Sequence, residues 1–412
     1  NKKSDEISSI LDIPASTVRW HLSQAKIALR ERVVMTQANG TIYRPIKLCN
    51  GRRGWGRNAS DPCWLDSDAL IQNLCWICHG KALTIEEMAQ TLGVAAVYLE
   101  DKLERLLYMD YFKKVGKNRY QTNFFIPDGD YQLFSRKLIL DSSKALAEIF
   151  SKIVEAALLE IKKVIQNEYN ANLLRFMLLA LAMSQTLHDI DGYVTERKDL
   201  HHGAPYCRDG SKRWAVASVP MTAILKANPD IPQELKDYCL FRTNSISYPQ
   251  NDQLSAVNYD AGFTPAVYFL NSTDLSGLKR IHTLLENGLT PNDYDKEIIA
   301  GLCERGCVSN KDGVLQILVP YLTVQQKIKV DVILKSCYDK YFDREGIFKI
   351  YEHYIDTMSK KIPAFIDENE RRHFLTSFDS FETIFFVLIK SRYLHEPSDT
   401  EKQYLCTVVW EK

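Results

Sequence analysis

Residues 5–31 read Asp5-Glu-Ile-Ser-Ser-Ile-Leu-Asp12-Ile-Pro14-Ala-Ser-Thr-Val-Arg-Trp-His-Leu-Ser-Gln-Ala-Lys-Ile-Ala-Leu-Arg-Glu31. Ile7, Ile10 and Leu11 fall on one face of a short helix. Val18, Leu22, Ala25 and Leu29 recur at three- and four-residue steps, the period of a second amphipathic helix. Ile13 and Pro14 make a turn between them. Asp12 stands where the first helix must end in a left-handed conformation, which Asp tolerates better than most non-glycine residues. Ser16 is expected to cap the second helix. Ser8 is small where the two helices approach closely. The stretch therefore predicts helix, tight turn, helix.

Off the apolar stripe, the second helix presents Ser16, Thr17, Arg19, Trp20, Ser23, Gln24 and Lys26. In a helix-turn-helix the second helix enters the major groove with its N-terminal residues against base edges. Arg19 suits a bidentate contact to guanine and Gln24 one to adenine. Lys26 and Arg30 suit phosphates, which position the protein without specifying sequence. The plainer alternative is that Lys26 and Arg30 form a solvated helix face. Charge favours the first reading. Residues 1–60 hold eleven Lys/Arg against four Asp/Glu, a net +7, and the whole chain is neutral, so the remainder carries −7. A basic segment on an acidic body is the footprint of a nucleic-acid reader.

These residues resemble region 4 of sigma-70 family factors, especially the small extracytoplasmic-function type. Thr17-Val18-Arg19, Leu22-Ser23-x-Ala25 and Leu29-Arg30-Glu31 match that family's habit. Response-regulator motifs share the Thr-Val-x-x-His-Leu core and usually lack the Ala-Lys-x-x-Leu-Arg continuation. Asp12 departs from the family, which more often has Gly. The match covers about a tenth of the chain, without region 2 or the first half of region 4. The resemblance implies promoter DNA and the RNA polymerase core as partners.

Downstream, residues 36–66 are rich in Gly, Asn, Asp and Arg and read as a linker or loop pinned by Trp55. Residues 67–126 predict three helices (Ala69 to Cys78, Thr84 to Gly93, Val97 to Met109) and a hairpin over Phe112–Thr122. Thr84 and Glu87 form a capping box. That order makes a winged helix, with Lys113, Lys114, Lys117 and Arg119 as candidate wing contacts to DNA. Glu100, Asp101 and Glu104 on its third helix would repel phosphate, which favours a protein-interaction role. Residues 127–169 predict a helical connector, either one long helix or two broken near Asp141. Residues 170–412 read as an α+β sensor or interaction region for an unknown effector or protein partner. It has an apolar helix from Leu173 to Leu187 and strands at Arg213–Ser218 and Ala266–Leu270. A second winged-like unit lies near 276–325, with a hairpin about Asn310–Gly313. Helices are expected over 326–395, and a closing strand at Gln403–Trp410. This part resembles the extension that follows the motif in some Gram-positive bacteria, and it implies no chemistry. The fold class expected is mainly α with small β hairpins (α+β).

Ten scattered cysteines and no opening signal peptide predict reduced thiols in a cytoplasmic protein. Cys75-Trp-Ile-Cys78-His79 fits a haem-attachment pattern and, with Cys63, a zinc set. The same residues continue an apolar helix stripe, and no cofactor is assigned. His188, Asp189, Asp191, His201, His202, Cys207 and Asp209 form the richest polar cluster, read as a loop. His188, His201, His202 and Cys207 are its metal candidates. There is no P-loop, dinucleotide fingerprint or Gly-x-Ser-x-Gly elbow, so no enzyme is expected. Two other readings stay open. One is a DNA-binding head fused to an effector- or metal-binding, even enzymatic, domain. The other is a protein-interaction scaffold.

Overall fold

The structure is a computed structural model. It describes residues 4–35, 47–55, 68–165, 169–196, 212–241, 247–259, 269–368, 371, 381–399, 401–405 and 407–412. The side chains of 26–35, 49–55, 187–196, 212–216 and 381–382 lie outside that description. The chain is mainly helical with small sheets. Among the described residues, no helix is long and apolar enough to cross a membrane. The chain divides into two compact units, each assembled from segments distant in sequence.

The first unit takes Asn1–Gly129, His202–Ile224 and Ile362–Phe374. It opens with α1 (Ser4–Leu11) and α2 (Ala15–Met35). Strand β1 (Cys49–Trp55) pairs antiparallel with β4 (Lys212–Ser218), from Cys49 opposite Ser218 to Trp55 opposite Lys212. Over 49–55 this replaces the expected linker or loop with a strand, while 36–46 and 56–66 lie outside the described residues. Gly51 and Gly54 weaken intrinsic strand preference, so the stretch reads as a loop until β4, from more than 150 residues away, supplies the partner. The N–H of Leu48, just before β1, donates to buried Gln72.

Next come α3 (Ala69–Ile77), α4 (Ile85–Leu92), α5 (Val97–Tyr108) and the hairpin β2 (Phe112–Lys114) and β3 (Tyr120–Thr122). Each boundary has a local cause. Asp68 caps α3 by accepting from the N–H groups of Leu70 and Ile71, and it also pairs with Lys102. Thr84 and Glu87 close the expected capping box on α4, which ends on Gly93 at φ 66°. Gly116 and Asn118 turn the hairpin in left-handed conformations. Leu83 and Tyr120 exchange both backbone hydrogen bonds, adding a third extended segment to β2–β3. Leu74, Met88, Leu99, Leu106 and Phe112 fill the core beneath.

The second unit takes Asp130–His201, Leu225–Lys361 and Leu375–Lys412. Helix α6 (Gly129–Val164) is one unbroken element, without a break near Asp141. Helix α7 (Ala171–Glu196) continues well past Leu187. His188, Asp189 and Asp191 therefore lie on a helix, which corrects their reading as a loop. Polarity alone ended the expected helix, but nothing from 188 to 196 breaks a helix except Gly192, which a helix interior tolerates at modest cost. His201, His202, Cys207 and Asp209 lie outside the described residues.

Short helices α8 (Met221–Ala227) and α9 (Gln233–Leu240) lead to strand β5 (Leu254–Asn258), which the sequence reading missed. The expected strand at 266–270 falls outside the described residues up to 268, and 269–270 are not strand. Helices α10 (Ser272–Glu286) and α11 (Asp293–Glu304) precede the hairpin β6 (Val308–Lys311) and β7 (Val314–Ile317). Its two-residue turn, Asp312 at φ 53° and Gly313 at φ 80°, has the handedness that strand twist favours. Strand β8 (Tyr321–Leu322), α12 (Val324–Tyr341), α13 (Arg344–Ser359) and α14 (Phe381–Lys390) follow. Strand β9 (Thr407–Glu411) closes the chain as the centre of a three-stranded sheet, antiparallel to β5 and parallel to β8. Phe150, Ile153, Phe176, Leu178, Phe385 and Val408 share one core, with the rings of Phe176 and Phe385 stacked 5.7 Å apart.

Candidate nucleic-acid interface

The turn between α1 and α2 is closed by its own residues. Asp12 takes φ 50°, the left-handed position expected of it. The Ser8 hydroxyl donates to the carbonyl of Ile13 at 2.6 Å, and the Ile13 N–H reaches back to the carbonyl of Ser8. The carbonyl of Pro14 accepts from the N–H groups of Thr17 and Val18. Pro14 thus occupies the cap position and α2 begins at Ala15, which corrects the expectation that Ser16 caps it. The fixed φ of proline makes the entry without a side-chain acceptor, and Ser16 is left on the first turn.

Val18 is buried at 4 % exposure and seats α2 on α1. The opposite face carries Ser16, Arg19, Trp20, Ser23 and Gln24, all exposed, with Thr17 half-buried at its edge. Arg19 Nε donates to the carbonyl of Ala15 at 3.2 Å, which steadies the side chain and leaves the four terminal guanidinium N–H groups for a partner. Trp20 and His21 meet edge to face at 4.9 Å. Lys26 and Arg30 continue α2, but their side chains lie outside the described residues. From Ala15 to Arg30 the sequence carries Arg19, Lys26 and Arg30 and no carboxylate. That segment can therefore approach a polyanion without like-charge repulsion from its own residues. Comparison with protein-family models, curated proteins and solved structures returns no match.

The hairpin at 112–122 is differently placed. Lys113 Nζ donates to the carbonyl of Phe365 at 2.8 Å and lies 5.3 Å over that ring. Arg119 is clamped by both oxygens of Glu87 and by the carbonyl of Ala82. Lys114 lies 6.0 Å over the ring of Tyr120. Lys117, at the tip, has no ion-pair partner among the described residues. Two of the four expected wing cations are thus committed within the unit. Helix α5 beside them exposes Glu100, Asp101 and Glu104 together with Val97, Tyr98 and Tyr108. That face is acidic and aromatic.

The Cys75, Cys78 and His79 set is part of the core. Both thiols are fully buried, and burial raises both, Cys78 to about 12, so neither is a ready thiolate ligand. His79 Nε2 accepts from the N–H of Ile126 at 3.0 Å, and its ring packs near Phe125 and Phe365. Cys63 lies outside the described residues. No group of three or more His, Cys, Asp or Glu among the described residues is placed to hold a metal. The periodicity of Leu70, Leu74 and Cys78 was the signal that marked this set as core.

Proposed function

We propose that this chain is a sigma-factor-like transcription regulator whose α1–α2 pair reads promoter DNA. The observation that carries the reading is the solvent-facing surface of α2. Over Ser16–Ala25 it exposes Ser16, Arg19, Trp20, Ser23 and Gln24, carries no carboxylate and is presented behind a turn closed at Asp12. Arg19 and Gln24 contact base edges, while Lys26 and Arg30 engage phosphates. The remainder of the chain receives an effector or a protein partner, with the RNA polymerase core the partner that the sigma resemblance implies.

The test is fluorescence anisotropy of the chain with duplex DNA over a salt series, followed by selection from a randomised duplex pool. Arg19→Ala is expected to cost about 1–3 kcal/mol on selected sites and to relax preference at one position. Lys26→Ala is expected to weaken binding to every sequence and to flatten the salt slope by about one unit. Alanine keeps the helix, so loss of structure does not mimic loss of contact. If both variants bind and select like the parent, α2 is not the reading helix.

A second reading concerns residues 68–126. Their helix order, with a hairpin tied to Leu83, suits a winged helix that meets protein rather than DNA. The engaged Lys113 and Arg119 and the acidic, aromatic face of α5 favour that role. Tyr98→Ala with Tyr108→Ala should weaken capture of purified polymerase core without changing DNA affinity. Unchanged capture would remove α5 from the contact.

A further inference from the structure

Within the second unit, α7, α12, the start of α13 and β9 surround a cavity of about 690 Å³ that opens to solvent. Drug-sized ligands occupy pockets of this size, about 300–1,000 Å³. Its floor is apolar, built from Leu181, Ala182 and Leu334. Its walls are aromatic. Tyr338 and Phe342 stack at 4.1 Å, and Trp410 faces in from β9. At the mouth, Tyr248 is held by a 2.8 Å hydrogen bond with Ser184.

The charges of the lining do not cancel. Lys327 is bound by both oxygens of Asp331 and lies 4.8 Å over the Trp410 ring. Lys335 is bound by both oxygens of Asp339. Those four charges neutralise in pairs along α12. Arg344 is the remaining charge, with its guanidinium 5.3 Å over the ring of Phe348 and no ion pair among the described residues. The cavity is thus an aromatic slot with one uncompensated guanidinium, whose planar fork fits a carboxylate in bidentate fashion.

We infer that this cavity is a binding site for a small aromatic carboxylate, its ring between Trp410 and the Tyr338–Phe342 pair and its carboxylate on Arg344. The inference does not rest on the DNA reading, because the site lies wholly in the second unit and its occupancy is measured without DNA.

The experiment is calorimetric titration of the whole chain with 2-naphthoate, beside the neutral 2-naphthylmethanol. Saturable one-to-one binding of naphthoate, tighter than of the alcohol, is expected. Arg344→Ala should weaken naphthoate by about tenfold or more and leave the alcohol unchanged, since only the charged contact is lost. Arg344→Lys should recover part of the loss, a point charge standing in for the fork. Ser184→Trp, which fills the mouth, should abolish both. Arg344 is exposed at a helix start, so its replacement leaves the fold intact, as circular dichroism would verify. No saturable naphthoate binding, equal binding of naphthoate and alcohol, equal affinity after Arg344→Ala, or unchanged binding in a folded Ser184→Trp chain would each overturn the proposal.

Discussion

A single side chain links burial to acid sensitivity in the first unit. Burial holds His79 well below the ordinary histidine range, at about 4, against a smaller opposing pull from Asp128. Its Nε2 is already an acceptor for the Ile126 N–H, so a proton there would set donor against donor. Above about pH 6.5 the ring is neutral in both folded and unfolded chains, and stability is unaffected. As pH falls from there toward about 4, the unfolded chain takes up a proton that the folded one refuses, and stability drops. Below about 4 both forms are protonated and the loss levels off. The full loss should approach about 3 kcal/mol, from roughly 1.4 kcal/mol per unit of displacement. His79→Gln keeps an acceptor for Ile126 and removes the titration. Urea melts between pH 7 and 4 should show a flatter stability profile for that variant. Identical profiles would mean that the ring charges freely in the folded protein.

At the scale of elements, local chemistry was legible and distant pairing was not. Thr84 with Glu87, Gly93, and Asp312 with Gly313 mark boundaries by their own capping and backbone needs, and each sits where the structure begins, ends or turns an element. Strand β1 carries no such mark, because two glycines and two arginines become a strand only when β4 lies beside them. Helix α7 ran on through His188 and Asp189 because polar residues do not end a helix unless something replaces its hydrogen bonds. On α2 the expected apolar stripe is met at Val18, which is buried, while Leu22 and Ala25 are exposed. The cavity by Arg344 was not legible, since Leu181, Lys327 and Trp410 meet only in three dimensions.

Two substitutions test how elements hold. Thr84→Ala removes the acceptor for the Glu87 N–H and should cost about 1 kcal/mol in chemical denaturation. Gly277 matters by closeness rather than by backbone angle: a Cβ there would stand 2.9 Å from Ile298 Cγ2 and 3.2 Å from Leu302 Cδ1. Gly277→Val should force α10 from α11 and cost about 1–3 kcal/mol. A neutral Gly277→Val would show that the two helices do not pack this closely.

At the scale of the molecule, the second unit depends on its last strand. Strand β9 lies between β5 and β8, and Val408 and Val409 are fully buried. Strand β5 pairs with β9 along one edge and exchanges backbone hydrogen bonds with Ser247, Pro249 and Asn251 along the other, so without β9 its five paired residues lose the ladder on one side. Deleting residues 407–412 therefore removes a core layer, the central ladder and the Trp410 wall of the cavity together. Helices α3, α4 and α5 share a separate core around Leu74 and Met88, to which β9 contributes nothing. Native-state hydrogen exchange on the truncated chain should show protection lost at Ser255 and Val257, whose N–H groups face β9, and over α12, and kept in α3 to α5. Equal loss in both would mean that the two units open as one cooperative body, and each local stability above would then report on the whole chain. Retained protection at Ser255 and Val257 would mean that β5 is held by packing and by its pairing with residues 247–251 rather than by β9. In that case the closing strand would be an addition to a core already complete.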